Sequence, residues 1–441
     1  MSESIPKHEP DQVSEQASSS TPKSHSRKRG ARTSWYFLPI LMGLFQSTLI
    51  AATPQFMSTT GLSTMMWSIL LSMPTLLFLL LSPSWGRWAD RRGANYIIRY
   101  SALGLGLSII VLMVVWWCGL SWSFAPWLWF VTIAVSRVLY GISASGVMPV
   151  CQSLAIDVSN EENSSQGTNS HQSDDKDQSL KRLGFVSASL SIGRLCGPVV
   201  LILVASQINW VLVLYGLVAI PLVWGVLSYS VNAPTQQKPS KDISPTVSPP
   251  ATKEIWLFFA LAFCVTLLVG YLQFVLGPLF LDWLGDADEA TMMMSVTMTA
   301  VATTALLCQL FLVKRLNWRS PKILLVLALV IIAATLALSR VNSMVVMVML
   351  MVPIAGAFAL ITPIYSRFAM SLSQTSKGQI SGKLAVAHTA GYPLGSLFAG
   401  ISYGQFSQWW LPMLLIAVII FGLCASVVWL AASHNKEAYA S

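Results

Sequence analysis

The sequence predicts an all-α integral membrane protein: twelve transmembrane helices in two six-helix bundles related by pseudo-symmetry. Three observations carry that expectation. Of 441 residues, 54% are hydrophobic and 10% charged, against about 25% charged in soluble domains, so the chain cannot present a water-compatible surface. Apolar runs recur at residues 35–57, 64–83, 95–117, 126–150, 183–206, 209–230, 254–281, 290–313, 321–339, 343–367, 383–404 and 409–432. Each can cross a hydrocarbon layer of about 30 Å at about 1.5 Å per residue. None alternates with a period of two, and open strand edges cannot face lipid, so every run reads as a helix.

In chain order, residues 1–34 are polar and end in the basic run Ser26-Arg27-Lys28-Arg29-Gly30-Ala31-Arg32, which reads as a disordered tail. The first apolar run starts late and is a full span, unlike the short core of a cleavable signal peptide. Residues 35–230 form the first half, interrupted by a polar loop at 157–182 that is rich in Ser, Asn, Glu and Asp. That loop reads as a spacer, because its composition cannot bury a core. A Pro-, Ser- and Lys-containing linker at 231–253 leads to the second half, 254–432, and residues 433–441 form a second tail. Two such halves place a substrate site at the midplane where they meet.

Charge sets the expected topology. With the N-terminus inside, one side collects Arg87, Arg91, Arg92, Arg99, Lys181, Arg182, Lys314, Arg315, Arg319, Lys322, Arg367, Lys377 and Lys383, whereas the opposite loops hold Arg340 alone. Positive residues resist translocation, so both termini are expected in the cytoplasm, with the chain in the plasma membrane or a bacterial inner membrane. The net charge of +9 then marks loops facing anionic lipid rather than a nucleic-acid surface. Trp116, Trp117, Trp122, Trp127, Trp283, Trp409 and Trp410 fit an interfacial aromatic belt.

Several classes are disfavoured. The six cysteines lie in or beside apolar runs without metal-like pairing and read as packing residues, so neither a metal nor another cofactor is expected. A membrane enzyme needs a catalytic constellation, yet of five histidines His388 alone falls within a run. A sensor would normally add a folded soluble domain, and neither insert is long or apolar enough to form one. A small-molecule carrier remains, for which one chain with two halves suffices as a monomer.

The stretch Gly86-Arg87-Trp88-Ala89-Asp90-Arg91-Arg92-Gly93 is a charged turn between the second and third runs. It resembles the G-x-x-x-D-R-x-G-R-R loop of the major facilitator superfamily of transporters. Gly86, Asp90, Arg91 and Gly93 match, while Ala94 and Asn95 replace the final basic pair. The fourth run, with Arg137 followed by Gly141 and Gly146, looks like the family's helix-4 signature. Gly193-Arg194-Leu195-Cys196-Gly197-Pro198 looks like its helix-5 G-x-x-x-G-P motif, although Val199-Val200-Leu201-Ile202 lacks the glycine pair that often follows. The resemblance implies the family's two-bundle fold and alternating access, and the helix-5 motif implies proton-driven export.

Internal likeness supports duplication. The segment Lys314–Ser320 sits where the charged turn should recur, with Asn317 in the place of Asp90. Gly391-Tyr392-Pro393-Leu394-Gly395 stands in the eleventh run where Gly193 to Gly197 stands in the fifth, and Pro363 echoes Pro149.

For gating, the candidates are Gly86, Asp90, Arg91 and Gly93 at the charged turn, with Gly141, Gly193, Gly197 and Pro198 inside the helices. Glycines four apart allow close helix approach and Pro198 removes a backbone hydrogen bond, so a hinge and static close packing both remain open. Arg137 and Arg194 lie about eleven residues from the ends of their runs, about 16 Å deep. An intramembrane arginine costs ~2.5 kcal/mol or more and normally faces a cavity or partner, and no run carries an acid at its middle. Two readings follow: the pair attracts an anionic or carboxylate substrate, or Arg137 bonds to backbone carbonyls and glutamines such as Gln46. Further polar pore candidates are Gln46, Gln55, Gln152, Gln273, Gln309, Tyr365 and Tyr392. Proton-coupling candidates are His388, Asp282 and Asp90, with Asp157 also available. The expectation is a secondary transporter, preferably a proton-coupled exporter of a small organic solute such as a metabolite, siderophore or drug, with anionic or carboxylate cargo favoured; the alternatives are an organic-anion uptake system and, less favoured, a non-transporting membrane sensor.

Overall fold

The computed structural model describes residues 37–154, 172–205, 215–223, 253–312, 320–371, 377–406 and 408–440. The first half comprises α1 (Phe37–Ala51), α2 (Thr53–Thr60), α3 (Thr64–Arg92), α4 (Ala94–Trp122), α5 (Pro126–Ala144) and α6 (Gln172–Ala205). The second comprises α7 (Lys253–Leu284), α8 (Ala287–Leu307), α9 (Lys322–Leu338), α10 (Met344–Ser371), α11 (Lys377–Ser402) and α12 (Leu411–Ala440). Residues 147–154 and 215–223 are also helical, and the only β feature among the described residues is an isolated bridge between Tyr403 and Phe406. Among the described residues, eight helices are long and apolar enough to cross a membrane, or nine with α1 and α2 counted as one bent span. The tail 1–34, residues 157–171 of the first insert and residues 231–252 of the linker lie outside the described residues, as do most of run 209–230 and Asn317. Helix α6 begins inside the polar insert, at Gln172, and α12 continues through the second tail to Ala440.

Local chemistry explains the breaks. The first run, read as one helix, is two helices bent by 54°, because Pro54 in the first turn of α2 has no N–H to continue the ladder of α1. The bend is packed by aromatic rings: Phe56 lies 5.5 Å from Trp67 and 4.7 Å from Trp116, which in turn lies 5.4 Å from Trp129. This corrects the assignment of Trp116 to an interfacial belt, since it is buried among these rings while Trp117, Trp122 and Trp127 are exposed. The Ser63 hydroxyl caps α3 by accepting from the Met66 amide at 3.3 Å, and the Asp286 carboxylate caps α8 by accepting from the Glu289 amide at 2.8 Å.

The charged turn is also corrected. Helix α3 runs on through Asp90 and Arg91 to Arg92, and Gly93 alone breaks it, with φ of 91°. Arginines in the last turn complement the negative end of the helix dipole, so helix is favoured up to the glycine. Arg92 lays its guanidinium over the Trp88 and Tyr96 rings, 5.2 and 5.6 Å from their centroids. The Asp90 side chain lies outside the description.

The two halves repeat one packing solution. Helix α1 packs most extensively on α6, and α7 on α11. A Cβ at Gly193 or Gly197 would strike the Ile40 or Leu44 carbonyl of α1, and a Cβ at Gly391 or Gly395 would strike the Phe263 or Leu267 carbonyl of α7. Bare glycine faces therefore let each helix pair touch backbone to backbone.

The halves join on the side of the turns at 61–63 and 284–286. There the Ser72 hydroxyl of α3 donates to the Pro393 carbonyl of α11 at 3.0 Å, and a Cβ on Gly400 would strike Ser68. A Cβ on Gly277 of α7 would lie 3.3 Å from that of Thr53. Towards the opposite side, Leu80 of α3, Ser191 of α6, Leu307 of α8 and Val386 of α11 are exposed.

Candidate functional site: a crevice between the halves

A crevice lies between the two halves, with about 350 Å³ of unfilled space including the part open to solvent. The first half contributes Gln46 and Ile50 from α1, Leu71 from α3 and Arg137 from α5; the second contributes Gln273 and Phe274 from α7 and Tyr392 and Ser396 from α11. It is a narrow, mixed polar and apolar space between bundles, a usual location for ligand sites.

Arg137 is 2% exposed. Its Nε donates to the Leu70 carbonyl at 3.3 Å and its guanidinium carbon lies 4.9 Å from the Tyr140 ring centroid. Tyr140 is itself fixed, donating to the Met42 carbonyl at 3.3 Å and packing on Phe45 at 5.2 Å. These contacts hold the arginine across three helices while Nη1 stays buried without a hydrogen-bond partner. The Gln46 Oε1 atom is likewise buried and unpartnered, and both residues line the crevice. An unpaired donor on a cation and an unpaired acceptor thus border one space. Arg137 bonds a backbone carbonyl and retains an unused donor. It does not bond Gln46.

Of the other expected site residues, Gln273 and Tyr392 line the crevice with Arg137 and Gln46. Arg194 is exposed on α6, outside the crevice lining, yet close enough to act electrostatically on the Tyr140 and Tyr392 phenols. Gln152 is exposed beyond the turn at 145–146 and away from the crevice, and Gln309 is exposed on the π-helical turn Cys308–Leu312. Gln55 has a buried, unpartnered Oε1 on α2. Tyr365 is buried elsewhere, with its hydroxyl at 2.5 Å from His388 Nε2 and its ring stacked on the imidazole. Asp282 is exposed at the end of α7, where it accepts a hydrogen bond from Tyr403.

Among the gating candidates, Gly141 packs against Pro74 and Leu77 of α3, and Gly86 has open space around it. Pro198 is buried in α6, which continues past it to Ala205, and Arg91 is exposed. The sequence reading missed Ile50, Leu71, Phe274 and Ser396 as lining residues. Two carried a signal: Ile50 follows Gln46 by four residues and Ser396 follows Tyr392 by four, which puts each pair on one helix face.

Among curated proteins, none matches the chain by sequence. Solved structures do match in fold. The nucleoside transporter NupG superposes with a TM-score of 0.64 at 13% identity, over 91% of this chain and 98% of that one. A bacterial homologue of the human lysosomal transporter Spinster, solved in an inward-facing and occupied conformation, gives 0.58 at 18% identity over 93% of each chain. The family model of the Major Facilitator Superfamily matches residues 35–396. The chain therefore belongs to the Major Facilitator Superfamily and is a multi-pass membrane transporter of the secondary kind.

Proposed function

We propose that this transporter moves a small organic anion through the crevice by alternating access, as a proton-coupled exporter. The observation that carries the reading is the buried Arg137 with its unused Nη1 donor, facing a space lined by Gln46, Gln273, Tyr392 and Ser396. A carboxylate would satisfy the guanidinium bidentately and leave the glutamines to orient the rest of the solute. Arg194 adds positive potential at the edge of the same region.

Junctions on the side of the turns at 61–63 and 284–286, with exposed helices on the other, fit a conformation closed on one face. The bias of Lys and Arg towards the tail-bearing side supports a cytoplasmic open face, where an exporter loads its solute. His388, hydrogen-bonded to Tyr365 across α10 and α11, is the favoured proton carrier because an imidazole can both accept and donate a proton.

The test is flux in proteoliposomes with an imposed pH gradient. Wild type should move labelled carboxylates, and Arg137→Ala should lower that flux at least about tenfold, the loss expected on removing one hydrogen bond to a charged group. His388→Ala should retain downhill exchange but lose gradient-driven accumulation. Unchanged carboxylate flux in Arg137→Ala would exclude the proposed role of that residue.

A further inference from the structure

A second hollow lies within the second half, bounded by α7, α8 and α10, with about 520 Å³ of unfilled space including the part open to solvent. Its wall is almost wholly apolar: Leu272, Leu276, Met294, Met298, Met351 and Phe358 contribute much of it. Leu272, Leu276, Met294 and Met351 are buried inside the bundle, while Met298, Val301 and Phe358 are half-buried. Thioether side chains adapt to apolar groups of varied shape, an alkyl chain among them. Gln273 lines this cavity and also the crevice that holds Arg137. One side chain thus separates a site with an unused cationic donor from a hollow with little polar surface.

From that adjacency we infer that the solute is amphipathic: an anionic head bonds Arg137, while an apolar body passes Gln273 and fills the methionine-lined hollow. This deepens the proposed function and rests on its anion reading. A head group alone would use the crevice and leave the hollow empty. A body of several methylenes would bury apolar area there, and each methylene transferred from water should tighten binding about fourfold. A small hydrophilic metabolite is therefore the poorer cargo.

The test measures binding of straight-chain carboxylates from acetate to octanoate to the full-length protein in nanodiscs. A terminal-diazirine carboxylate then reports where the tail sits. In wild type, affinity should rise steeply with chain length, and photolabelling should fall on the segments bearing Met294 and Met351. Ala355→Leu fills the hollow from α10; it should flatten the chain-length dependence while leaving acetate binding unchanged. Val301→Phe supplies the same test from α8 if that variant does not elute as a single species. Arg137→Ala should reduce the photolabelling.

A flat chain-length dependence in wild type, with acetate still binding in an Arg137-dependent way, would overturn the hollow as a subsite and leave the anion reading standing. Absence of any Arg137-dependent carboxylate binding would remove that reading and this inference with it. Labelling of Met294 and Met351 that persists undiminished in Arg137→Ala would also overturn the proposal, marking an alkyl chain that enters without its head in the crevice.

Discussion

Arg137 gives one N–H to the Leu70 carbonyl, rests on the Tyr140 ring and keeps Nη1 buried without a partner. A charge so placed is costly unless something completes its hydrogen bonds. Water or substrate would do so, which is why Arg137→Lys is a sharper probe than alanine. It retains the charge but loses the planar fork, and transport should fall at least about tenfold while the protein stays folded. The glycines offer a contrast at the same scale. Gly395→Leu would drive a side chain into the Leu267 carbonyl of α7, whereas Gly86→Ala meets open space. The first should lower stability by about 1–3 kcal/mol and the second should not destabilise, as the Tm values of purified protein would report. Arg137, Gln46, Gln273 and Tyr392 were legible because polar side chains stand out in apolar runs. Gln152 and Tyr365 were misplaced because composition gives depth but not the direction in which a side chain points. The helical phase that settles direction depends on which faces the bundle buries.

Among the elements, α1, α2 and α3 differ most from the sequence reading. The apolar run across residue 52 hid a 54° bend whose signal was Pro54 itself. A turn was expected at Gly86 to Gly93, yet helix α3 continues to Arg92, since turn-like charge and glycine content was weighed above helix propensity. The bend carries α2 against α7 and α8, on the side where the halves meet. A Cβ at Gly277 would lie 3.3 Å from that of Thr53, near the spacing of a disulfide. The double variant Thr53→Cys with Gly277→Cys should cross-link on oxidation and stop transport, and reduction should restore it. Full transport by the quantitatively cross-linked protein would mean that the halves need not part there.

At the scale of the whole molecule, the duplication inferred from Gly193 to Gly197 and Gly391 to Gly395 is expressed as two matching helix pairs, α1 with α6 and α7 with α11. The two-bundle fold was legible because hydropathy in lipid permits few alternatives. The apolar hollow beside Gln273 was not, since methionine and leucine in a membrane helix look the same whether they face lipid, a neighbour or a void. Alternating access needs both bundles to share one crevice and to separate on each side in turn. The most direct test is gradient-driven flux of a panel of labelled organic anions and cations in proteoliposomes, comparing wild type with Arg137→Ala. The account predicts pH-gradient-dependent movement of anions that the variant largely loses. Movement of cations alone, or anion flux indifferent to Arg137, would contradict it.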